Sequence, residues 1–341
     1  MKKPTQAEIA HRLGVSRATV SRVLRNISGQ KSRTAARIIE MAREVGYRLP
    51  ATEQAVNRKA FSRRKNQAIG LFLCMPDVPP RSDRMPLRIL HGATDATRLK
   101  NILLHVEYIS VSEAQKIRSR HDLPVSLRRG AVSGIMLAGL FPPAFAQAAT
   151  AQKPCVQMMI HHPGLPIDMV GQNNRTAVGQ LVGFLKKQGH EKIGFLCKRP
   201  VQSYAYARFA GYIEALARTG EICDSALVVN LYMESAQPFE DVLRAVTSGV
   251  RAWICEHDGY GYELVEFLQS CGLSVPRDVV VAGFDALDVP AGLCPLPTID
   301  WPIEDIAAAG IELLFRRINE PSRAISQLLF DGRLVDPGAS Y

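Results

Sequence analysis

The chain has 341 residues, 47% of them hydrophobic, and a formal net charge of +10 at pH 7. That length suits two or three domains, and the composition is that of ordinary globular protein, not of a disordered or fibrous chain. No apolar run reaches about 18 residues and no charged leader precedes a short apolar stretch, so neither a membrane span nor a secretory signal is expected.

The first predicted element is a helix in "TQAEIAHRLG" (residues 5–14), where Thr5 and Glu8 have capping-box spacing and Gly14 suits the helix end. A second helix is predicted over residues 16–25, "SRATVSRVLR". Ser16 is its N-cap, and Val20, Val23 and Leu24 fall on one face. Arg17, Ala18, Ser21, Arg22 and Arg25 fall on the opposite face. Ser16 and Thr19 sit where free N–H groups favour an anion. A third helix in "SRTAARIIEMAREVGY" places Ala35, Ile38, Ile39, Ala42 and Val45 together and ends at Gly46. Two short helices around "LGVS" make a helix-turn-helix, and the third completes a core.

Charge is unevenly distributed. Residues 1–65 hold 16 Lys and Arg against 4 Glu, a net of +12, while the remainder holds 26 basic and 28 acidic residues. The front piece therefore suits a polyanion and the remainder does not. Its apolar residues are used in its own core, which favours nucleic acid over a membrane surface.

Residues 49–67 read as a linker. Pro50 stops the preceding helix, and Arg63, Arg64 and Lys65 form a solvated tether. From Ile69 strand-like and helix-like segments alternate. Strands are predicted in "IGLFLCM", "ILLHVEYI", "VSGIMLA", "PCVQMMI", "KIGFLC", "ALVVN", "RAWIC" and "VVVAGF". Helices are predicted at about 86–100, 175–188, 204–219, 237–247, 260–271 and 303–318. This is the pattern of parallel sheets in two doubly wound lobes, with a ligand cleft at the carboxyl ends of their strands.

No phosphate loop, dinucleotide fingerprint, nucleophile elbow or HExxH motif is present, so no catalytic residue and no cofactor is expected. The seven cysteines are scattered with no CxxC pair, which predicts reduced, mostly buried thiols in a cytoplasmic protein and no metal site. His161 and His162 beside Pro163 read as a loop pair. Asp77, Asp258 and Asp285 each follow a strand, where a carboxylate either caps a helix or faces a ligand.

The segment "TQAEIAHRLGVSRATVSRVLRN", with "GY" at 46–47, closely resembles the DNA-binding segment of the lactose-repressor (LacI) family of bacterial regulators. "VSGIMLAG", "GHEKIGFL", "YARFAGYIEAL", "GLSVPRDVVVAGFD" and "PLPTIDWPIEDIA" resemble that family's periplasmic-binding-protein-like domain. The resemblance implies an all-α helix-turn-helix domain at 1–48, a hinge at 49–67 and a two-lobed effector-binding and dimerisation domain at 68–341. It places Arg17, Ala18 and Arg22 at base-reading positions, with Thr5, Ser16, Thr19, Ser21 and Arg25 in the same DNA contact. Guanine O6 and N7 are the natural partners of such arginines.

Two departures from the family pattern stand out. The spacing Tyr47-Arg48-Leu49-Pro50 is one residue longer than the usual Tyr-x-Pro. Counting from Tyr47 puts Glu53 and Val56 at the two minor-groove positions of the hinge, whereas counting from Pro50 puts Asn57 at the second. In the cleft, the four polar anchors of sugar-binding members correspond here to Met159, Arg208, His257 and Asp285, and only the second and fourth keep the family residue. Arg208 and Asp285 are expected to line a wet cleft and not the core, because burial without a partner is costly.

The resulting expectation is a homodimeric regulator, with repression the expected sense, on a near-palindromic operator in double-stranded DNA. A small polar effector, a sugar or a derivative of one, sits between the lobes. The last run, "AISQLLF", leaves no heptad tail for a tetramer. The alternatives are a solute-binding protein with a basic extension, disfavoured by the absent secretion signal, and an enzyme on the α/β lobes, disfavoured by the absent motifs.

Overall fold

A computed structural model describes residues 5–25, 32–45, 47, 68–77, 84–199 and 202–338. The linker 49–67, with Val56 and both hinge alignments, lies outside the described residues, as does Gly46. The chain divides into two units, Met1–Asn66 and Gln67–Tyr341.

In the first unit, helix α1 (Gln6–Leu13) starts at Thr5, whose hydroxyl accepts from the Glu8 N–H at 3.4 Å. Only this half of the expected capping box forms. The Glu8 carboxylate turns instead to Arg12 at 3.0 Å, one helical turn on. Gly14 (φ 63°) takes the left-handed conformation that a Schellman ending demands, with Gly14 N–H bonded to His11 O and Val15 N–H to Ala10 O. Helix α2 (Arg17–Arg25) is capped by Ser16, whose Oγ accepts from the Thr19 N–H at 3.1 Å. Helix α3 (Arg33–Glu44) opens on Ser32 in the same way. Val20, Val23 and Leu24 are buried against Ile9, Ala10, Ala35, Ile38 and Ala42, one small core shared by three helices. Gln6 donates to the Tyr47 hydroxyl at 3.0 Å, tying the residue just past α3 to the first turn of α1.

The second unit holds two six-stranded sheets. Strands β1 (Ala68–Met75), β2 (Leu104–Ser110), β3 (Val132–Gly139), β4 (Cys155–Met158), β5 (Asp168–Gln172) and β11 (Gln327–Phe330) form an all-parallel sheet in the order β11-β5-β4-β3-β1-β2. Strands β6 (Ile193–Leu196), β7 (Val228–Val229), β8 (Ala252–Cys255), β9 (Val280–Phe284), β10 (Thr298–Asp300) and β12 (Arg333–Val335) form the other, in the order β12-β10-β9-β8-β6-β7. There β12 is antiparallel to β10 and the other pairings are parallel. Inner strands such as β1 are apolar almost throughout because helices cover both faces.

The chain passes between lobes after β5, after β10 and after β11. Helix α4 (Met85–Leu99) packs on α12 (Ile303–Asn319), and Gly92 makes that approach possible: a Cβ there would lie 2.1 Å from the Glu304 carbonyl oxygen. Arg88 on α4 donates to the Glu304 carboxylate at 2.8 Å, to Trp301 O at 2.9 Å and to Asp300 at 3.3 Å, reaching residues that follow or end a second-lobe strand.

The long helices lie within about two residues of their predicted spans: 174–187, 203–218, 238–247, 258–270 and 303–319. Strands β5, β10 and β12 were not among the predicted runs. β5 carries Asp168, which is buried and held by Arg317 at 2.7 Å and by the Ser326 N–H at 2.8 Å. The short helix α7 (Pro143–Thr150) between β3 and β4 was also not predicted. All seven cysteines are free; Cys74, Cys155, Cys197 and Cys255 are buried, Cys223 is partly so, and Cys271 and Cys294 are exposed. No described helix is long and apolar enough to cross a membrane.

Candidate nucleic-acid interface and ligand cleft

In the first unit the apolar side of α2 faces the core, which leaves Arg17, Ala18 and Arg22 exposed together, with Ser21 half-buried beside them. Thr5 and Ser16 are exposed, and the Ser16 and Thr19 hydroxyls share a hydrogen bond of 2.9 Å at the start of α2. Among the described residues no carboxylate pairs with Arg17 or Arg22. Both guanidinium forks are therefore available to an external acceptor. The side chain of Arg25 lies outside the described residues.

In the second unit, a cavity of about 440 Å³ lies past the carboxyl ends of strands from both sheets. Met159, Arg208, His257 and Asp285 all border it. They follow β4, sit on helix α9 (Ser203–Arg218), follow β8 and follow β9, respectively.

Arg208 is 2% exposed. This corrects the expectation that it stands in a wet cleft away from the core, because partners were in reach that the sequence does not reveal. Its Nε donates to Asn174 at 2.8 Å, Nη1 to the Glu256 carbonyl, and Nη2 to Gln172 at 3.4 Å, while Asp285 lies 3.5 Å away. Its Cζ lies over the Phe284 ring, 4.0 Å from the centre, and over the Tyr204 ring, 4.9 Å from the centre. The guanidinium thus braces α9 against the first interlobe crossing (Gln172, Asn174) and still presents one edge to the cavity.

Asp285 is held at φ 95° and Met159 at φ 67°, a backbone region that side chains other than glycine seldom occupy. Such local strain is often found at ligand sites. Asp285 accepts from the Trp301 indole N–H at 3.1 Å. Burial raises its pKa while Arg208 draws it back. His257 caps helix α11 (Asp258–Ser270), its Nδ1 accepting from the Tyr260 N–H at 3.1 Å. Its proton is therefore assigned to Nε2, which is the ring's donor while Nδ1 accepts. Burial, aided by the nearby Arg208 and Lys198 charges, lowers its pKa to about 4, so it is neutral at pH 7.

Glu256, just before His257, is buried with one carboxylate oxygen unpartnered, and burial raises its pKa to about 7. Asp258 does not face the cavity. It is 1% exposed and accepts from Thr298 at 2.8 Å and from the Leu287 N–H at 3.1 Å, which shapes the loop carrying Asp285. Asp77 is exposed and accepts from Ser112. His161 and His162 lie in the turn after β4, and no metal-ligating cluster occurs among the described residues.

Sequence reasoning missed Gln172, Tyr204, Lys198 and Glu263 on the cavity wall. Two of them carried a usable signal. Tyr204 lies one helical turn before Arg208 on the same face, and Lys198 follows a strand end.

Residues 5–49 match the family described as bacterial regulatory proteins, lacI family, and residues 182–340 match the periplasmic binding protein-like domain. The chain thus carries a LacI-family DNA-binding segment ahead of a periplasmic binding protein-like domain. It is 26% identical to the HTH-type transcriptional repressor CytR of Escherichia coli (strain K12), over 98% of this chain and 96% of that protein. The transcriptional regulator GntR of the same organism is 25% identical over 99% of each chain. Among solved structures, the transcriptional regulator CelR in its cellobiose complex aligns over 98% of both chains with a TM-score of 0.64 and 20% identity. The lac repressor dimer bound to operator and the anti-inducer ONPF gives 0.59 and 20%, again over 98% of both chains. The family fold accounts for both the small basic unit and the two-lobed unit.

Proposed function

We propose that this chain is a homodimeric, cytoplasmic transcriptional repressor that binds a near-palindromic operator and is controlled by a small polar effector, a sugar or sugar derivative, in the interlobe cavity. Residues 1–48 read DNA, 49–67 form the hinge and 68–341 bind effector and dimerise. The observation that carries this reading is the exposed face of Arg17, Ala18 and Arg22 on a helix whose other side is fully used in a core. Sequence-directed binding needs such unpaired donors fixed on a rigid element. The effector reading rests on the convergence of Arg208, His257 and Asp285 on one cavity. A ligand there shifts operator affinity only by binding two conformations unequally, and the Arg208 bonds to Gln172 and Asn174 connect the cavity to an interlobe crossing.

Replacing Arg17 or Arg22 by Ala is expected to weaken operator binding by about 1–3 kcal/mol and relax base preference at one position per half-site. Selection from a random DNA pool followed by gel-shift titration measures both. Wild-type affinity in the two variants would remove α2 from the interface. Binding should also fall steeply with salt, with a slope set by the phosphates neutralised.

One recognition helix reads only a few base pairs, so a two-fold dimer on a near-palindrome is expected. Light scattering at micromolar protein should report a dimer. A tetramer in solution, or a monomer on operator DNA, would contradict this.

A further inference from the structure

Helix α9 is apolar on two faces. One packs into the lobe: Ala205, Phe209, Tyr212 and Leu216 are buried, and Arg208 beside them is engaged in the network described above. The other meets solvent. Tyr206, Ala210, Ile213 and Ala217 are all exposed, Tyr206 by 54% and Ile213 by 41%. Steps of four, three and four residues put them within about 60° of one another around the axis, at the heptad spacing of a coiled-coil seam. A surface helix needs only one apolar face to dock on its own sheet, so the second has no use within the chain.

The apolar surface continues past the seam. Tyr232, in the loop after β7, meets Phe209 edge-on with ring centres 5.4 Å apart and is itself exposed, as are Met233 beside it and Ile222 beyond the end of α9. The charges along the other border are already paired. Glu214 is held by Arg175 at 2.6 Å and by Arg218 at 2.8 Å. The seam itself carries no charge, so a nucleic acid or a strongly acidic or basic partner finds no complement there.

The order large, small, large, small is its own complement. Under a two-fold axis between Ala210 and Ile213, an antiparallel second copy sets its Ile213 against Ala210 and its Ala217 against Tyr206. Each large side chain then meets a small one, and the two helix axes can approach to about 8 Å. Self-complementarity of this kind is what an isologous contact requires. The pair buries on the order of 800 Å², less than the roughly 1,200 Å² at which stable interfaces begin. That is too little to hold the homodimer proposed above, so the contact is a separate one, filled where copies are crowded together.

We infer that the outer face of α9 is a self-association surface, on which two copies of this chain pack α9 against α9, antiparallel about a two-fold axis. Sedimentation of the full-length protein tests this, from micromolar concentration, where the dimer stands alone, to near-millimolar concentration. The wild-type mass should double toward the upper end. Ile213→Glu, and independently Ala210→Arg, should each weaken that step by about tenfold or more, because an unpaired charge is desolvated in the seam. Both positions are exposed, so the melting temperatures should stay close to wild type. The double variant Ala210→Arg, Ile213→Glu should regain the doubling, since the two-fold sets each new arginine against a glutamate of the second copy. A wild-type mass that stays constant over the whole range would assign the seam to a different partner and overturn the proposal. Doubling that persists in both single variants would overturn it as well. Loss in both single variants without recovery in the double variant would mean that α9 meets some other surface, which overturns the two-fold pairing.

Discussion

Arg208→Ala is expected to destabilise the effector unit by about 3–5 kcal/mol, the range for removing one partner of a buried charged network. The guanidinium is 2% exposed and serves Asn174, Gln172, the Glu256 carbonyl and Asp285 together. Truncation leaves Asp285 without its counter-charge and the Glu256 carbonyl without its donor, and it removes the cation over the Phe284 and Tyr204 rings. Arg208→Lys should recover little, because one ammonium cannot reproduce a planar fork with three directions. Calorimetry should show the transition of residues 67–341 lowered by on the order of 10 °C. The three-helix unit has its own core, so operator contacts through α2 should persist below that temperature. A variant that melts with wild type would show Arg208 to be dispensable to the fold and its network to be worth nothing net.

Glu256→Gln is expected to stabilise the same unit, and only at neutral to alkaline pH. Burial raises the Glu256 pKa from an ordinary value near 4.5 to about 7. Arg208 and Lys198 oppose that shift, and Asp285 adds to it. Between those two values the folded state keeps a proton that the unfolded chain has released. Stability from this group therefore falls as pH rises through that window, and the loss is complete above about pH 7. Each pKa unit is worth about 1.4 kcal/mol, so the full effect is on the order of 3 kcal/mol. Glutamine keeps the shape without the charge. The wild-type and variant urea midpoints should coincide near pH 4.5 and separate by pH 8, with the variant higher. A gap that is the same at both pH values would mean that Glu256 does not titrate in this window.

These two residues also mark where the sequence stopped being informative. Helical periodicity placed α9 and put Arg208 near its start, but periodicity carries no information about which carbonyls wait across the interlobe crossing. Asn174 and Gln172 are distant in sequence and ordinary in composition. Glu256 sat unremarked beside His257 because burial of a carboxylate is a property of the packed sheet and not of the tetrad around it. Strand β5 was missed for a related reason. Its Asp168 argues against a buried strand until Arg317, 149 residues away, supplies the counter-charge. The capping box at Thr5 half-formed because Glu8 had a competing partner one turn along, a contest that spacing alone leaves undecided.

Local chemistry sufficed where a short segment contains its own answer. The caps at Thr5 and Ser16, the glycine ending at Gly14, the buried face of Val20, Val23 and Leu24, the exposed face of Arg17 and Arg22, and the alternating strands and helices of two parallel lobes all follow from neighbours within one or two turns. Tertiary structure alone decided the short strands completed by pairing, the partners that allow Arg208 and Asp168 to be buried, and the left-handed backbone at Met159 and Asp285. It alone drew Met159, Arg208, His257 and Asp285 to one cavity. The physical reason is one of range. Hydrogen bonding within a turn and the period of a helix are set by adjacent residues, whereas desolvation and charge pairing depend on whichever distant side chains the packed lobes bring within about 4 Å.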